Sequence, residues 1–448
     1  MTPATANVTF LIPPALQFPS LTKPLTNKQQ TSFDFSIKTM GRVTIWTRQP
    51  GFFVYTVYSV VRALIKLPCL MLMYTIPRFR PIRDWTFQQA FVRAMTRLLF
   101  EYASVVRFSP AQSLDPGKEK DRFVTIEPFE AQADSNKHNQ QQETIYTGIA
   151  KPNANGIRPV AIGGTWFPAP FNRESNQMNT LAPNRPRRVF LHFHGGAYVL
   201  FDCRDRDMAF GASLLLQASP RDSGAAVFCP QYRLAFHSHS YNGGGGGGGG
   251  QFPAALQDAI TSYAHLVRRL GVDARDVVLS GDSAGGNLAL ALLRHLEETK
   301  VLPRPGGVLL WSPWTDLSVD VGELIARAED KWDIVPPRLV EWALRVFLPE
   351  VLDDGVEGGR VCDNAYISPV KRGIQTEVPI WVQVGGKEII AKDILKWVEV
   401  QEQTGHRLRV YEIPNAPHDM FMAGEGLGFV KESREAAEDA IRFLDRRE

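Results

Sequence analysis

The sequence predicts an α/β fold with a mostly parallel central sheet and helices on both of its faces. Three observations predict it. From Arg188 onward, short apolar runs alternate with helix-forming runs at the spacing of β–α units. One junction, residues 277–290, reads as buried strand, then Gly281-Asp282-Ser283-Ala284-Gly285, then helix. Residues suited to chemistry recur in loops that follow strands, the edge where such folds place their sites.

Composition sets the outer bounds. The chain has 448 residues, enough for roughly one large or two to three ordinary domains. Its 44% hydrophobic and 22% charged residues are those of a soluble globular protein. A net charge of +3 is too small to imply a nucleic-acid partner. Cys69, Cys203, Cys229 and Cys362 lie far apart without metal-site spacing. Reduced thiols are favoured, with a single disulfide left open.

Residues 1–40 are polar and proline-containing, without periodicity or the pattern of a secretory signal, and are expected to be disordered. Residues 41–110 form an apolar helical region. Its stretch 52–76 is the most apolar in the chain, yet Tyr55, Ser59, Arg62 and Lys66 share one helical face and Pro68 interrupts it. Arg42, Arg48, Arg78, Arg80 and Arg83 flank it. Three readings stay open: a helix lying on a membrane surface, which is favoured, a cap or core helix, and a spanning helix. Residues 85–106 carry helical apolar spacing at Phe87, Phe91, Met95, Leu98 and Leu99, which suits a cap or body helix.

Residues 111–448 form the α/β domain, with the catalytic core at 188–448. Residues 131–143 are Gln/Asn-rich and read as a solvated insertion, and the aromatic, turn-rich 163–171 as a hairpin or a flap near the entrance. Strands are expected at 189–193, 225–229, 277–280, 307–311, 379–384 and 408–413. Helices are expected at 208–218, 253–270, 335–348, 389–403 and 431–444, and after Ser283. The glycine run 243–250 reads as an expanded loop. It lacks the strand, lysine and helix start of a phosphate cradle.

Strand, G-x-S-x-G and helix together make a nucleophile elbow, which lifts the Ser283 hydroxyl over the strand ends. His194-Gly195-Gly196-Ala197-Tyr198 follows a buried strand. Gly195 and Gly196, with Ala284 after the nucleophile, are the candidate oxyanion donors. His192 and His194 lack a second ligand cluster, so a metal site is rejected and His194 is read as propping the oxyanion loop. His418 follows strand 408–413 in a loop on the elbow's edge and is the candidate base. His265 and His295 fall inside helices, His237 and His239 beside the glycine run, and His406 at the opposite edge. The acid that orients the base comes from the loop after strand 379–384: Glu388, with Asp393 as the alternative.

These residues resemble the hormone-sensitive-lipase-like branch of the α/β-hydrolases, the fold-3 group. The resemblance rests on His194–Tyr198, on Tyr232-Arg233-Leu234-Ala235 with Phe252-Pro253-Ala254-Ala255, on Gly281–Asn287 and on Ser312-Pro313-Trp314-Thr315-Asp316. It covers the chain from about Arg188 and departs at three places. Ala197 replaces a third glycine, Phe236 replaces a proline ahead of the inserted glycine run, and Glu388 stands where many members carry Asp. The first 110 residues have no family match. The resemblance implies the α/β-hydrolase fold with a helical cap, and a fungal-type esterase or lipase with an apolar N-terminal extension. It implies a cofactor-free serine hydrolase acting through Ser283, His418 and Glu388 on lipophilic esters of short or medium acyl chain, acetyl among them. Two alternatives are a non-catalytic small-molecule receptor on the same scaffold, and an amidase or peptidase with the same triad. The expected partners are a small lipophilic ester and a membrane surface met through 52–76, at the endoplasmic reticulum or another membrane, with a cytoplasmic location as the alternative.

Overall fold

The structure is a computed structural model, and it describes residues 44–129, 145–153, 156–169, 188–221, 223–235, 250–349 and 361–446. The expectations for 1–40, for 131–143 and for the glycine run as far as 249 lie outside the described residues. Eight strands build one sheet: β1 (Phe123–Ile126), β2 (Ile162–Phe167), β3 (Val189–Phe193), β4 (Ala226–Gln231), β5 (Val277–Asp282), β6 (Gly307–Trp311), β7 (Ile380–Gly385) and β8 (Leu408–Ile413). Their order is β1-β2-β4-β3-β5-β6-β7-β8. β1, β2 and β4 pair antiparallel, and every pair from β4 to β8 is parallel.

Ten α-helices accompany the sheet among the described residues: α1 (Gly51–Tyr74), α2 (Phe87–Val106), α3 (Asp205–Ala218), α4 (Ala254–Ala264), α5 (Ala284–Thr299), α6 (Val321–Ala326), α7 (Pro337–Phe347), α8 (Ala391–Glu402), α9 (Met420–Leu427) and α10 (Val430–Asp445). The central strands are buried on both faces, so their side chains divide by the period of two. Phe190, Val278, Leu309 and Trp381 join one core with residues of α3, α9 and α10. Leu191, Leu279, Leu310 and Val382 join the other with residues of α4, α5 and α8.

Three expectations change. Residues 163–167 are no flap: β2 is a buried strand paired with β1 and β4, its Gly163 and Gly164 packed under Phe123 and Phe228. The helix expected at 253–270 is α-helical only to Ala264 and widens into a π-helical turn at His265–Arg269. α1 continues through Pro68. The missing proline N–H leaves the carbonyl four residues back, that of Leu64, without its helical donor.

α2 is fastened to the body along its length. Its first turn carries a capping box between Thr86 and Gln89. Gln89 Nε2 donates to Gly428 O (3.1 Å), Arg93 Nε to Trp332 O (3.0 Å) and Arg97 Nη2 to Asp330 Oδ1 (2.6 Å). Just ahead of it, Trp85 Nε1 donates to Asn415 O (2.7 Å).

Candidate active site

β5 ends at Asp282 and α5 begins at Ala284, leaving Ser283 between them at φ 51°, ψ −115°. A non-glycine residue held there costs about 1–3 kcal/mol, so the surroundings must impose it. They do so on both sides. Ser283 N–H donates to Trp311 O on β6, and Ser283 O accepts from Trp314 N–H, both at 2.9 Å. The turn closes only because two flanking residues are glycines. A Cβ on Gly281 would sit 2.2 Å from Gly285 O, and one on Gly285 would sit 1.9 Å from Phe193 O.

The hydroxyl raised by this turn meets His418. Ser283 Oγ lies 2.8 Å from His418 Nε2, and His418 Nδ1 lies 2.6 Å from Glu388 Oε2. Glu388 is fully buried in the loop after β7, and its other oxygen accepts Gly385 N–H at 2.6 Å. Burial pulls the His418 pKa down, but the hydrogen bond and charge of Glu388 outweigh it and hold it up at about 9. The proton on Nδ1 is thus fixed towards the carboxylate, and Nε2 faces the serine. Asp393 is committed elsewhere, in a buried two-pronged pair with Arg327 at 2.6 and 2.9 Å. His265 and His295 are packed into the body, His406 is at the surface beside Gln375, and His237 and His239 lie outside the described residues.

The oxyanion loop departs from expectation at one residue. Gly195 N–H donates to Asp282 Oδ2 at 2.8 Å, so it is not open to a substrate oxygen. Gly195 is a support rather than a donor, and it must be glycine because a Cβ there would sit 2.3 Å from Asp282 Oδ2. Beyond it the chain turns through Gly196 at φ 103° and Ala197 at φ 55°. Among the described residues neither of these N–H groups has a hydrogen-bond partner, and both residues line the cavity with Ser283. Ala284, first in α5, adds an N–H that has no partner within the helix. The open donors are therefore Gly196, Ala197 and Ala284. Sequence reading passed over Ala197 because it weighed the missing glycine rather than the N–H that alanine keeps. His194 props the loop as expected: its Nδ1–H donates to Gly195 O (2.8 Å) and its ring stacks on Tyr232 (4.4 Å).

Three more carboxylates shape the site. His192 bridges Ser280 Oγ and Asp282 Oδ1, each at 2.9 Å, and burial holds it neutral, its pKa lowered to about 3. Burial raises Asp282 to about 6 and, with the charge of Asp282, pushes Asp419 well above the usual carboxylate range. Of the two, Asp419 holds its proton the more tightly, and it shares a hydrogen bond with Asp282. Asp333, between α6 and α7, is fully buried and accepts three backbone N–H groups. Ile334 (2.7 Å) and His418 (2.9 Å) donate to Oδ1, and Ile389 (2.7 Å) donates to Oδ2. It ties the loop of the acid to the loop of the base. No motif marks Asp333, whose role comes from backbone groups far away in sequence.

Ser283 and His418 open into a cavity of about 320 Å³, walled mainly by apolar side chains such as Leu99, Phe100, Phe201, Leu339 and Met422. The arrangement can activate a hydroxyl as a nucleophile, receive its proton, and stabilise an oxyanion beside it in a mostly apolar cavity.

Comparison with known proteins agrees with this architecture. The pattern of a family described by the alpha/beta hydrolase fold matches residues 190–422. LipR of Mycobacterium tuberculosis, provisionally named an acetyl-hydrolase, is 30% identical over 46% of this chain and 56% of its own. An esterase of Acinetobacter venetianus is 30% identical over 48% of this chain and 62% of its own. An acetyl-hydrolase of Streptomyces hygroscopicus is 26% identical over 52% and 67%. The chain thus spans between about half and two thirds of the length of these curated relatives. The match over residues 190–422 covers Gly195–Ala197, Ser283, Glu388 and His418, and the chain belongs to the α/β hydrolase fold family.

Proposed function

We propose that the protein is a carboxylic ester hydrolase that works through a Ser283–His418–Glu388 triad. The observation that carries this reading is the unbroken contact from Ser283 Oγ to His418 to Glu388, 2.8 and 2.6 Å, beside three open N–H groups in an apolar cavity. Ser283 Oγ attacks the ester carbonyl while His418 Nε2 takes its proton. The new oxyanion accepts from the N–H groups of Gly196, Ala197 and Ala284, each such donor being worth about 10²–10³ in rate. The tetrahedral species collapses, the C–O bond to the alcohol breaks, and the alcohol leaves with the proton from His418. Water then gives a proton to His418 and its oxygen attacks the acyl-enzyme. The carboxylic acid departs and Ser283 recovers its proton. Glu388 orients the imidazole and balances its charge throughout.

The size of the cavity supports a small lipophilic ester with a short or medium acyl chain, since about 320 Å³ falls near the lower end of the roughly 300–1,000 Å³ of ligand pockets. The acetyl-hydrolase names of two relatives support acetyl as the acyl group. A receptor reading gains no support from a site whose nucleophile, base and acid are all joined. A fluorophosphonate probe should label the native protein and leave Ser283→Ala unlabelled, and labelling that persists in the variant would refute the assignment. A p-nitrophenyl ester series should favour acetate and butyrate over palmitate, and the matching anilides separate an esterase from an amidase.

A further inference from the structure

A helix lying on a water-facing body turns its polar residues outward and its apolar residues to the core. α1 instead keeps its polar residues on the side turned to the body. That half-buried side carries Tyr55, Thr56, Ser59 and Arg62 together with Phe52, Ala63, Leu67 and Leu70. There Thr56 Oγ1 hydrogen-bonds Tyr102 Oη (2.9 Å), Tyr55 stacks on Tyr102, and Arg62 pairs with Glu101 (2.9 Å). Its outward side presents Phe53, Val54, Tyr58, Val61, Leu64 and Leu72, each between 49% and 70% exposed. No charged side chain is among these outward residues, since Arg62 and Lys66 share the face turned towards α2. Contiguous apolar surface on this scale marks a binding face.

By length and composition α1 could cross a membrane, and none of its apolar window is buried in the protein. Yet it is held along α2, from Thr56 near one end to Tyr74, which is buried in one cluster with Trp85 and Ala90, at the other. α2 in turn is fixed to the body by Arg93 and Arg97. A helix so fastened lies along the body instead of leaving it.

We propose that the outward face of α1 is seated in the interfacial layer of an anionic lipid bilayer, with the helix lying in the membrane plane. Arg48 before it, and Arg78 and Arg83 after it, are exposed and carry no ion pair among the described residues, which places cations at headgroup level at both ends. On α2, Leu99 is 60% exposed and also lines the cavity, so apolar surface reaches from the helical pair to the cavity wall. The inference rests on α1 and its surroundings and stands apart from the chemistry assigned to Ser283.

The test is flotation of the full chain with phosphatidylcholine vesicles, with and without phosphatidylserine, beside the triple variant Val61→Glu, Leu64→Glu, Leu72→Glu. These three side chains are exposed, so the melting temperature and the turnover of a water-soluble ester serve as controls for folding. The native chain should float, more so with phosphatidylserine, and each substitution should weaken binding by about tenfold or more, the loss of one buried aliphatic side chain. A native chain that stays in solution with both vesicle types overturns the proposal, as does a folded triple variant that floats like the native chain. A concentration-dependent dimer without flotation, abolished by the triple variant, also overturns it and assigns the face to a second copy of the chain.

Discussion

Ser283 stands between two loops, each hung from a buried aspartate, and the two aspartates hold differently. Asp333 accepts N–H groups from Ile334, Ile389 and His418, all of them amides. Asp282 accepts one amide, Gly195 N–H, and otherwise meets two titratable groups, the imidazole of His192 and the carboxyl group of Asp419. Amides keep their protons at every pH of interest, whereas the partners of Asp282 can exchange theirs. The acid–base side of the serine is therefore clamped, and the oxyanion side rests on a proton-bearing network. The contrast implies that alignment of the base is a matter of geometry, while the oxyanion loop also responds to protonation.

The largest expected effect tests the clamp. Asp333→Asn leaves one acceptor oxygen where two were used and turns an amide N–H₂ towards a backbone N–H. Glu388 and His418 should lose their common alignment, and kcat should fall by about 10²-fold, the cost of roughly 1 Å of misplacement, with KM little changed. Native kcat in a folded Asp333→Asn protein would break the comparison on this side. The next effect is a pH profile. His418 accepts the Ser283 proton only when neutral, and Glu388 holds its pKa up at about 9. The neutral fraction therefore grows as pH rises, so kcat/KM should climb about tenfold per pH unit below 9 and level off above it. A profile already flat at neutral pH would show that Glu388 does not dominate the base. The smallest effect falls on the other side. Asp282→Asn keeps one acceptor for either Gly195 or His192, and kcat should fall by less than about tenfold, the scale of one lost hydrogen bond. The native protein takes up a proton at Asp282 as pH falls through about 6, and the variant should lack that step in its profile. A loss larger than that of Asp333→Asn would reverse the ranking of the two sides.

The parallel half of the sheet was legible because its strands are apolar runs that lie under helices, as with 307–311, which the structure assigns to the same residues. The strands β1 and β2 were not, because β2 reads Ile-Gly-Gly-Thr-Trp-Phe and its two glycines suggest a turn. They serve instead to let the ring tips of Phe123 and Phe228 approach the backbone. At the site, Ser283 and His418 were legible from their place after strands. Glu388 and Asp393 could not be separated by spacing, and the structure separates them through Arg327, which pairs with Asp393. Gly195 was misread because a glycine next to a catalytic motif suggests an open N–H, and only the fold reveals that Asp282 takes it.

The grip of α2 on the segment that carries Asp333 sets the length of the working unit. Arg93 donates to the carbonyls of Lys331 and Trp332, and Arg97 to those of Asp330 and Asp333. Hydrogen bonds of two arginines and one aspartate thus join α2 to the loops of the acid and the base. A fragment cut at the edge of family similarity, residues 190–422, would keep nucleophile, acid and base and lose the outer end of this linkage. Recombinant truncations are better drawn ahead of Trp85 than at the first recognisable strand.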